Sequence, residues 1–263
     1  MAQIDNRYAL GGNAAQTGVA VDEGLRAYML RVYNYMAAGI ALTGVVAYLI
    51  FTYSVTTDPS LAVQVGPRML RPGLFLTPLG QTLFTTPLMY VLIFAPLAFV
   101  FFLSWRIATM SVGAAQIAFW LFAAVMGASL SSIFLRYTAT SITQVFFVTA
   151  AAFASLSLYG YTTKKDLSGW GSFLIMGVFG IIIAAIVNIF LQSSALQLAI
   201  SVIGVLVFAG LTAYDTQRIK DGYYEVMNDA VAMSKGAIMG ALSLYLDFIN
   251  MFTSLLSLFG SRE

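Results

Sequence analysis

Two aspartates stand out by their surroundings. Asp215 lies in Leu211-Thr-Ala-Tyr-Asp-Thr-Gln217 and Asp247 in Ser243-Leu-Tyr-Leu-Asp-Phe-Ile-Asn250, both within stretches apolar enough to enter a membrane. An ionisable side chain at the centre of a membrane helix costs about 2.5 to 3.5 kcal/mol on insertion scales, so each is a candidate functional group. Asp247 is the stronger anomaly, because the nearest basic residue along the chain is Lys235. If the two carboxylates approach one another they cannot easily both carry charge; they titrate as a unit and can share a proton or clasp a cation. Asn250, one turn beyond Asp247, adds a carbonyl oxygen to the same face. Such an all-oxygen set suits a hard cation such as Ca²⁺, and a proton alone would serve as well. The competing reading is structural: each Asp is satisfied separately by a Tyr hydroxyl, an Arg or a backbone group, and pins helices together.

Other chemistry is excluded by what the chain lacks. It has no Cys and no His, which removes thiol nucleophiles, disulfides, thiolate or imidazole metal sites and His-dependent hydrolytic triads. A pH response near neutrality must therefore come from one of eleven acidic residues. No P-loop is present, which favours a passive leak over a pump. No basic patch interleaved with aromatics suggests nucleic acid. The expectation is a protein that is not an enzyme and holds no organic cofactor, a calcium ion being the one bound species the aspartates would take.

The elements that must position these residues are membrane helices. Of 263 residues, 60% are hydrophobic and 9% charged, with a mean hydropathy of +0.86, far from the balance of soluble domains. A hydrocarbon core of about 30 Å needs roughly 20 helical residues. Apolar runs of that order fall at 29–53, 87–105, 110–134, 140–162, 170–191, 196–217 and 236–260. The fold class is thus all-α, a polytopic bundle of seven transmembrane helices covering 25–263 as one domain, its short connections favouring sequential antiparallel neighbours. Residues 1–24 form a polar segment with no signal-peptide pattern. The stretch from Ser54 to Thr86, with Pro59, Pro67, Pro72 and Pro78, reads as an ordered external loop, or alternatively as one carrying a short surface helix near Leu74 to Phe84.

Nine Lys and Arg fall on one side of the bundle (Arg7, Arg26, Arg31, Arg106, Lys164, Lys165, Arg218, Lys220 and Lys235) and four on the other (Arg68, Arg71, Arg136 and Arg262). The positive-inside rule then places the N terminus in the cytoplasm and the C terminus outside. Spans six and seven join on the cytoplasmic side, so the aspartates can meet in the inner half of the bundle. Arg106, at the same side, can salt-bridge Asp215 and act as a latch, or simply anchor at head groups. A depth mismatch stands against the pair: Asp215 is three residues from Arg218 and Asp247 twelve from Lys235, about 13 Å apart at 1.5 Å per residue, so they meet only if span seven begins outside the bilayer. Asp221, Glu225 and Asp229, four apart, are expected to line one face of a cytoplasmic helix. Gln116, Gln144 and Asn188 are expected to make interhelical hydrogen bonds, and Gly236 with Gly240 to pack helices within the monomer.

At Tyr214-Asp-Thr-Gln217, at Leu244-Tyr-Leu-Asp-Phe-Ile-Asn-Met-Phe252 and at Lys164-Lys-Asp-Leu-Ser168, the chain resembles the bacterial branch of the transmembrane Bax inhibitor motif family, over about residues 26 to 260. The resemblance implies seven helices with the C-terminal one central, in a bacterial inner membrane, and a pH-sensitive calcium leak gated by Asp215 and Asp247, with Arg106 as latch. It also implies a second function, since some bacterial members bind and restrain a membrane-anchored AAA protease. Thr86 to Trp105 has no acidic residue, where some calcium-leaking relatives carry a Glu, and contains Pro96.

Overall fold

The computed structural model describes residues 5–58, 60 and 74–261, with side chains from residue 21 onward. Arg68, Arg71, Arg262 and most of the Pro-rich loop therefore lie outside the described residues, as do residues 1–4 and the side chains of 5–20 of the expected polar segment.

Among the described residues eight α-helices follow in order: α1 (Asp5–Ser54), α2 (Pro78–Thr85), α3 (Leu88–Arg106), α4 (Val112–Leu130, continued by a 3₁₀ turn Ser131–Leu135), α5 (Ala139–Thr162), α6 (Ser168–Leu191), α7 (Ser194–Val226) and α8 (Ala230–Phe259). All but α2 are long and apolar enough to cross a membrane. Several starts are legible as capping residues ahead of an apolar run: Ser111, Thr138 and Ser193 accept from the backbone N–H of Ala114, Ser141 and Leu196, and Asp229 accepts from Val231 and Ala232. Between α1 and α3 the backbone of Val55–Thr56 pairs antiparallel with Phe75–Leu76, and α2, capped by Thr77, folds back on α1. The helix thus begins at Pro78 within the segment where a surface helix was the alternative. In α1 one helix runs unbroken from Asp5 into the first span.

The bundle is sorted by burial. In α8, 56% of the membrane-length window is buried, against 11% in α3 and 6% in α6, so α8 is the central helix and α3 and α6 are peripheral. It packs along α7, α1, α5 and α4. Tyr245 is fully buried at its middle, its ring edge-on to Phe122 and Phe119 of α4, while Phe248 meets Phe146 and Phe153 of α5. The Tyr245 hydroxyl is 2.6 Å from Thr43 Oγ1, which lies 2.9 Å from the carbonyls of Gly39 and Ala123, tying α1, α4 and α8 through a polar contact that the hydrocarbon leaves without a water alternative.

Basic side chains close the end of the bundle that carries the α7–α8 turn. Lys220 Nζ donates to the Tyr161 carbonyl and Lys235 Nζ to that of Ala108, each at 2.9 Å, where helices α5 and α3 run out of internal partners. In the loop before α6, Asp166 accepts from the backbone N–H and hydroxyl of Ser168, and these bonds hold its carboxyl below the usual aspartate range.

Helices α5 and α7 approach at Gly160, where a Cβ would sit 2.2 Å from the Ala213 carbonyl oxygen. Backbone cannot yield as a flexible side chain does, so Gly160→Ala should separate the helices and cost more than about 2 kcal/mol. Gly113→Ala, with nothing within 4 Å of the added carbon, is the control. Thermal unfolding of both variants in the same detergent should show a drop of several degrees for the first alone; equal midpoints would contradict the close approach.

Candidate functional site

The geometry of the aspartates follows from the register of the α7–α8 hairpin. Gly240 rests on Ile219 and Gly204 faces Ser254, so each step along one helix is matched by a step back along the other. That register puts Asp215 level with about Leu244, one turn from Asp247, or roughly 4.5 Å along the axis. The 13 Å mismatch expected from flanking charges is thereby removed. Helix α7 runs on to Val226 and α8 starts at Ala230, nine residues beyond and six before the apolar runs, so the turn lies well past the level of the carboxylates.

Both aspartates line one cavity of about 680 Å³ between α3, α6 and the α7–α8 hairpin. Asp247 is 4% exposed, and its Oδ2 is buried without a hydrogen-bond partner. Asp215, also buried, pairs through Oδ1 with the Arg218 guanidinium at 3.1 Å, one turn along the same helix. Arg218 is half exposed, lies over the Tyr214 ring and donates to Ser243 Oγ at 3.3 Å. Asn250 lines the same cavity; its Nδ2 donates to the Leu246 carbonyl, which leaves Oδ1 to face other donors or a cation.

The guanidinium beside Asp215 thus belongs to Arg218 and not to Arg106. Arg106 ends α3, is exposed, does not line the cavity and forms no ion pair among the described residues. Proximity in sequence, i to i+3 on one helix, decides the pairing. Sequence reading also missed a polar stripe on α8: Ser243, Asp247, Asn250, Ser254 and Ser257 recur at alternating spacings of four and three and all line the cavity. That spacing is a single helical face and was present to be read. At its far end Ser257 meets Ser201 Oγ at 2.9 Å and Gln197 Nε2 at 3.4 Å.

Three further expectations are placed by the structure. Asp229 caps α8, whereas Asp221 and Glu225 lie on α7, so the three acids do not share a helix. Gln116 donates to the Tyr35 hydroxyl of α1, and Asn188 to Gln197 of α7, as interhelical contacts; Gln144 is exposed on α5. Gln217 was not singled out for a role, yet its Oε1 accepts from the Leu167 N–H and its Nε2 donates to the Lys165 carbonyl, both at 2.8 Å. Two of the short motifs noted in the sequence therefore touch each other. Among the described residues no group of three or more acidic side chains converges, so the carboxyl oxygens on offer for a cation come from Asp215 and Asp247.

Fold and site together define a polytopic seven-helix membrane protein with a carboxylate pair in its last helical hairpin. The chain belongs to the family described as inhibitor of apoptosis-promoting Bax1, whose model matches residues 25–263. It is 46% identical to an uncharacterized protein of Caulobacter vibrioides over the full length of both chains. It is 46% identical to the uncharacterized protein RP147 of Rickettsia prowazekii, over 92% of each chain. It is 44% identical to the inner membrane protein YbhL of Escherichia coli, over 91% of this chain and 94% of that one.

Gln217→Ala should free both loop backbone groups at once and lower stability by about 1 to 3 kcal/mol. Gln217→Glu keeps the acceptor for Leu167 but not the donor for Lys165, and should fall between. Unfolding midpoints in detergent that leave the alanine variant equal to wild type would show that the clamp contributes nothing.

Proposed function

We propose that the protein is a proton-sensitive cation leak of the bacterial inner membrane, passing Ca²⁺, with Asp215 and Asp247 as the ion-binding and gating groups. The observation that carries this reading is Asp247, which is buried with its Oδ2 unpartnered and lines a cavity that it shares with Asp215. A carboxylate at such depth must be accompanied by a proton or by a cation. Asn250 Oδ1, Ser243 Oγ and water supply the further oxygens that a calcium ion demands. With two carboxylates against the six to eight ligands of a high-affinity site, the arrangement suits transit over storage. A cavity of this volume has room for about 20 waters at roughly 30 Å³ each, and the stripe from Ser243 to Ser257 gives a hydrated ion polar contacts along about 21 Å of α8.

Arg218 takes the latch role that the sequence had suggested for Arg106. While Asp215 is ionised, the guanidinium is held over the end of the cavity by the 3.1 Å pair and the Ser243 bond. Protonation of Asp215 removes the opposite charge, and the half-exposed arginine is then free to turn towards water. Flux should therefore rise as pH falls. By the positive-inside rule the α7–α8 turn faces the cytoplasm and the C terminus lies outside.

A second reading is a regulatory protein that binds a membrane-anchored AAA protease. It is favoured by α1, which is already helical from Asp5, well ahead of the first apolar run at 29–53.

Ca²⁺ entry into proteoliposomes at about pH 6, 7 and 8 tests the leak. Wild type should conduct severalfold faster at pH 6 than at pH 8. Asp215→Asn should be pH-independent and fast, since the latch has no charge to hold. Asp247→Asn should be slow at every pH. An unchanged pH profile in both variants would refute the mechanism, and loss of a cellular phenotype on deleting residues 2–20, with flux intact, would favour the protease reading.

A further inference from the structure

The cavity is open on one side. Helix α3 packs along α4 and α6 along α7, and neither packs along the other, so the space between them faces the surrounding membrane. Its walls are apolar and outward-lying: Leu97 and Phe101 on α3, Ile175 and Phe179 on α6, all exposed. Its floor is the polar stripe of α8 with Asp247 buried in it. An aqueous conduit alone does not call for apolar walls that open sideways to hydrocarbon; an amphiphile does.

We propose that the cleft between α3 and α6 is a lateral binding site for a membrane phospholipid whose head group ends in a primary ammonium, with that ammonium on Asp247 and an acyl chain along the α3 and α6 walls.

Charge selects the head group. Asp215 is already paired with Arg218 at 3.1 Å, so the carboxyl group at the cavity floor with neither a direct ion pair nor a donor at its Oδ2 is that of Asp247. A primary ammonium brings both the opposite charge and N–H donors to the Asp247 carboxylate. A choline head brings charge wrapped in methyl groups and no donor, and a phosphoglycerol head brings no cation at all. The phosphate of the same lipid falls towards the α7–α8 turn, where Arg218 is half exposed and can accept a second anion on its free N–H groups. Size agrees as well. From Ser243 to Ser257 the floor is about 21 Å long, more than the roughly 15 Å of hydrocarbon in one leaflet, and about 680 Å³ is within the range of pockets that enclose small ligands.

This proposal goes beyond the ion reading and shares the cavity, Asp247, Arg218 and the polar stripe with it, but binding is read without any flux. The test uses the full chain in nanodiscs holding equal amounts of phosphatidylethanolamine, phosphatidylcholine and phosphatidylglycerol of identical acyl composition, with lipids retained after detergent release counted by native mass spectrometry. Wild type should keep phosphatidylethanolamine at least tenfold over the other two. Asp247→Asn should reduce that preference to near unity, and the double variant Leu97→Trp with Phe179→Trp, filling the walls, should cut retention of all three lipids. Equal retention of the three lipids by wild type, or undiminished preference in Asp247→Asn, would overturn the proposal. So would displacement of the bound lipid by millimolar free ethylammonium, which would mark a site for a soluble amine and not for a lipid. Unfolding midpoints close to wild type establish that each variant is folded when it is measured.

Discussion

A buried carboxylate oxygen without a donor is the constraint around which the rest of this bundle is arranged. Placing an unpaired charge in a low-dielectric interior costs several kcal/mol, and the hydrocarbon offers no compensating dipoles. Asp247 nonetheless sits on the central helix, 4% exposed, with Oδ2 unpartnered. The fold accommodates it by leaving one flank of α8 unpacked. Where α7, α1, α5 and α4 close on the helix, its residues are apolar and fully buried, as at Leu244, Ile238 and Met251. Along the face that lines the cavity its residues are polar, bonded in part to α7 and otherwise open to the cavity. Among the described residues, the most buried of the membrane-length helices therefore also carries a buried polar atom without a partner.

The hairpin of α7 and α8 is what makes that combination stable. Their contact is set by glycines: Gly240 lets Ile219 of α7 lie against α8, and Gly204 does the same for Ser254. Close backbones carry dispersion contact in a solvent where hydrophobic association gives little. The same register brings Asp215 within a turn of Asp247 and leaves Arg218 ion-paired with Asp215 and bonded to Ser243. One aspartate is thereby neutralised by a partner on its own helix and the other is left to the cavity. Two carboxylates in one site with unequal surroundings are suited to different tasks, one to hold a latch and the other to meet a cation.

Much of this was legible in the sequence, and what was not has identifiable causes. The seven spans appear at their places, four of them within about two residues at each end while α1, α7 and α8 run on past the apolar runs, because composition and length decide them and no tertiary information is needed. The two aspartates were visible as anomalies of environment for the same reason. Depth was misjudged because flanking charges were taken to mark where each helix leaves the membrane. Helices α7 and α8 continue past those charges to Val226 and from Ala230, and the register of a hairpin is fixed by side-chain contacts, not by counting from lysines. The match of Arg106 to Asp215 rests on their shared side and on the family resemblance; α3 is peripheral, a fact of packing that its uniformly apolar sequence conceals. Asp229 looked like the third member of a helical row until the chain broke after Val226, where its side chain is used as a cap.

Peripheral helices explain a further feature. In a soluble protein, Phe190 and Trp105 at 82% and 80% exposure would mark an interface or an aggregation hazard. In a membrane they are ordinary, because lipid is as apolar as they are and nothing drives α3 or α6 inwards. A bundle held by packing and by contacts such as Thr43 to Tyr245 can therefore leave two helices standing apart without losing stability. The gap between them is then not a defect of packing. It is a position where apolar walls and a buried carboxylate line the same cavity, and any species that spends time there must satisfy both.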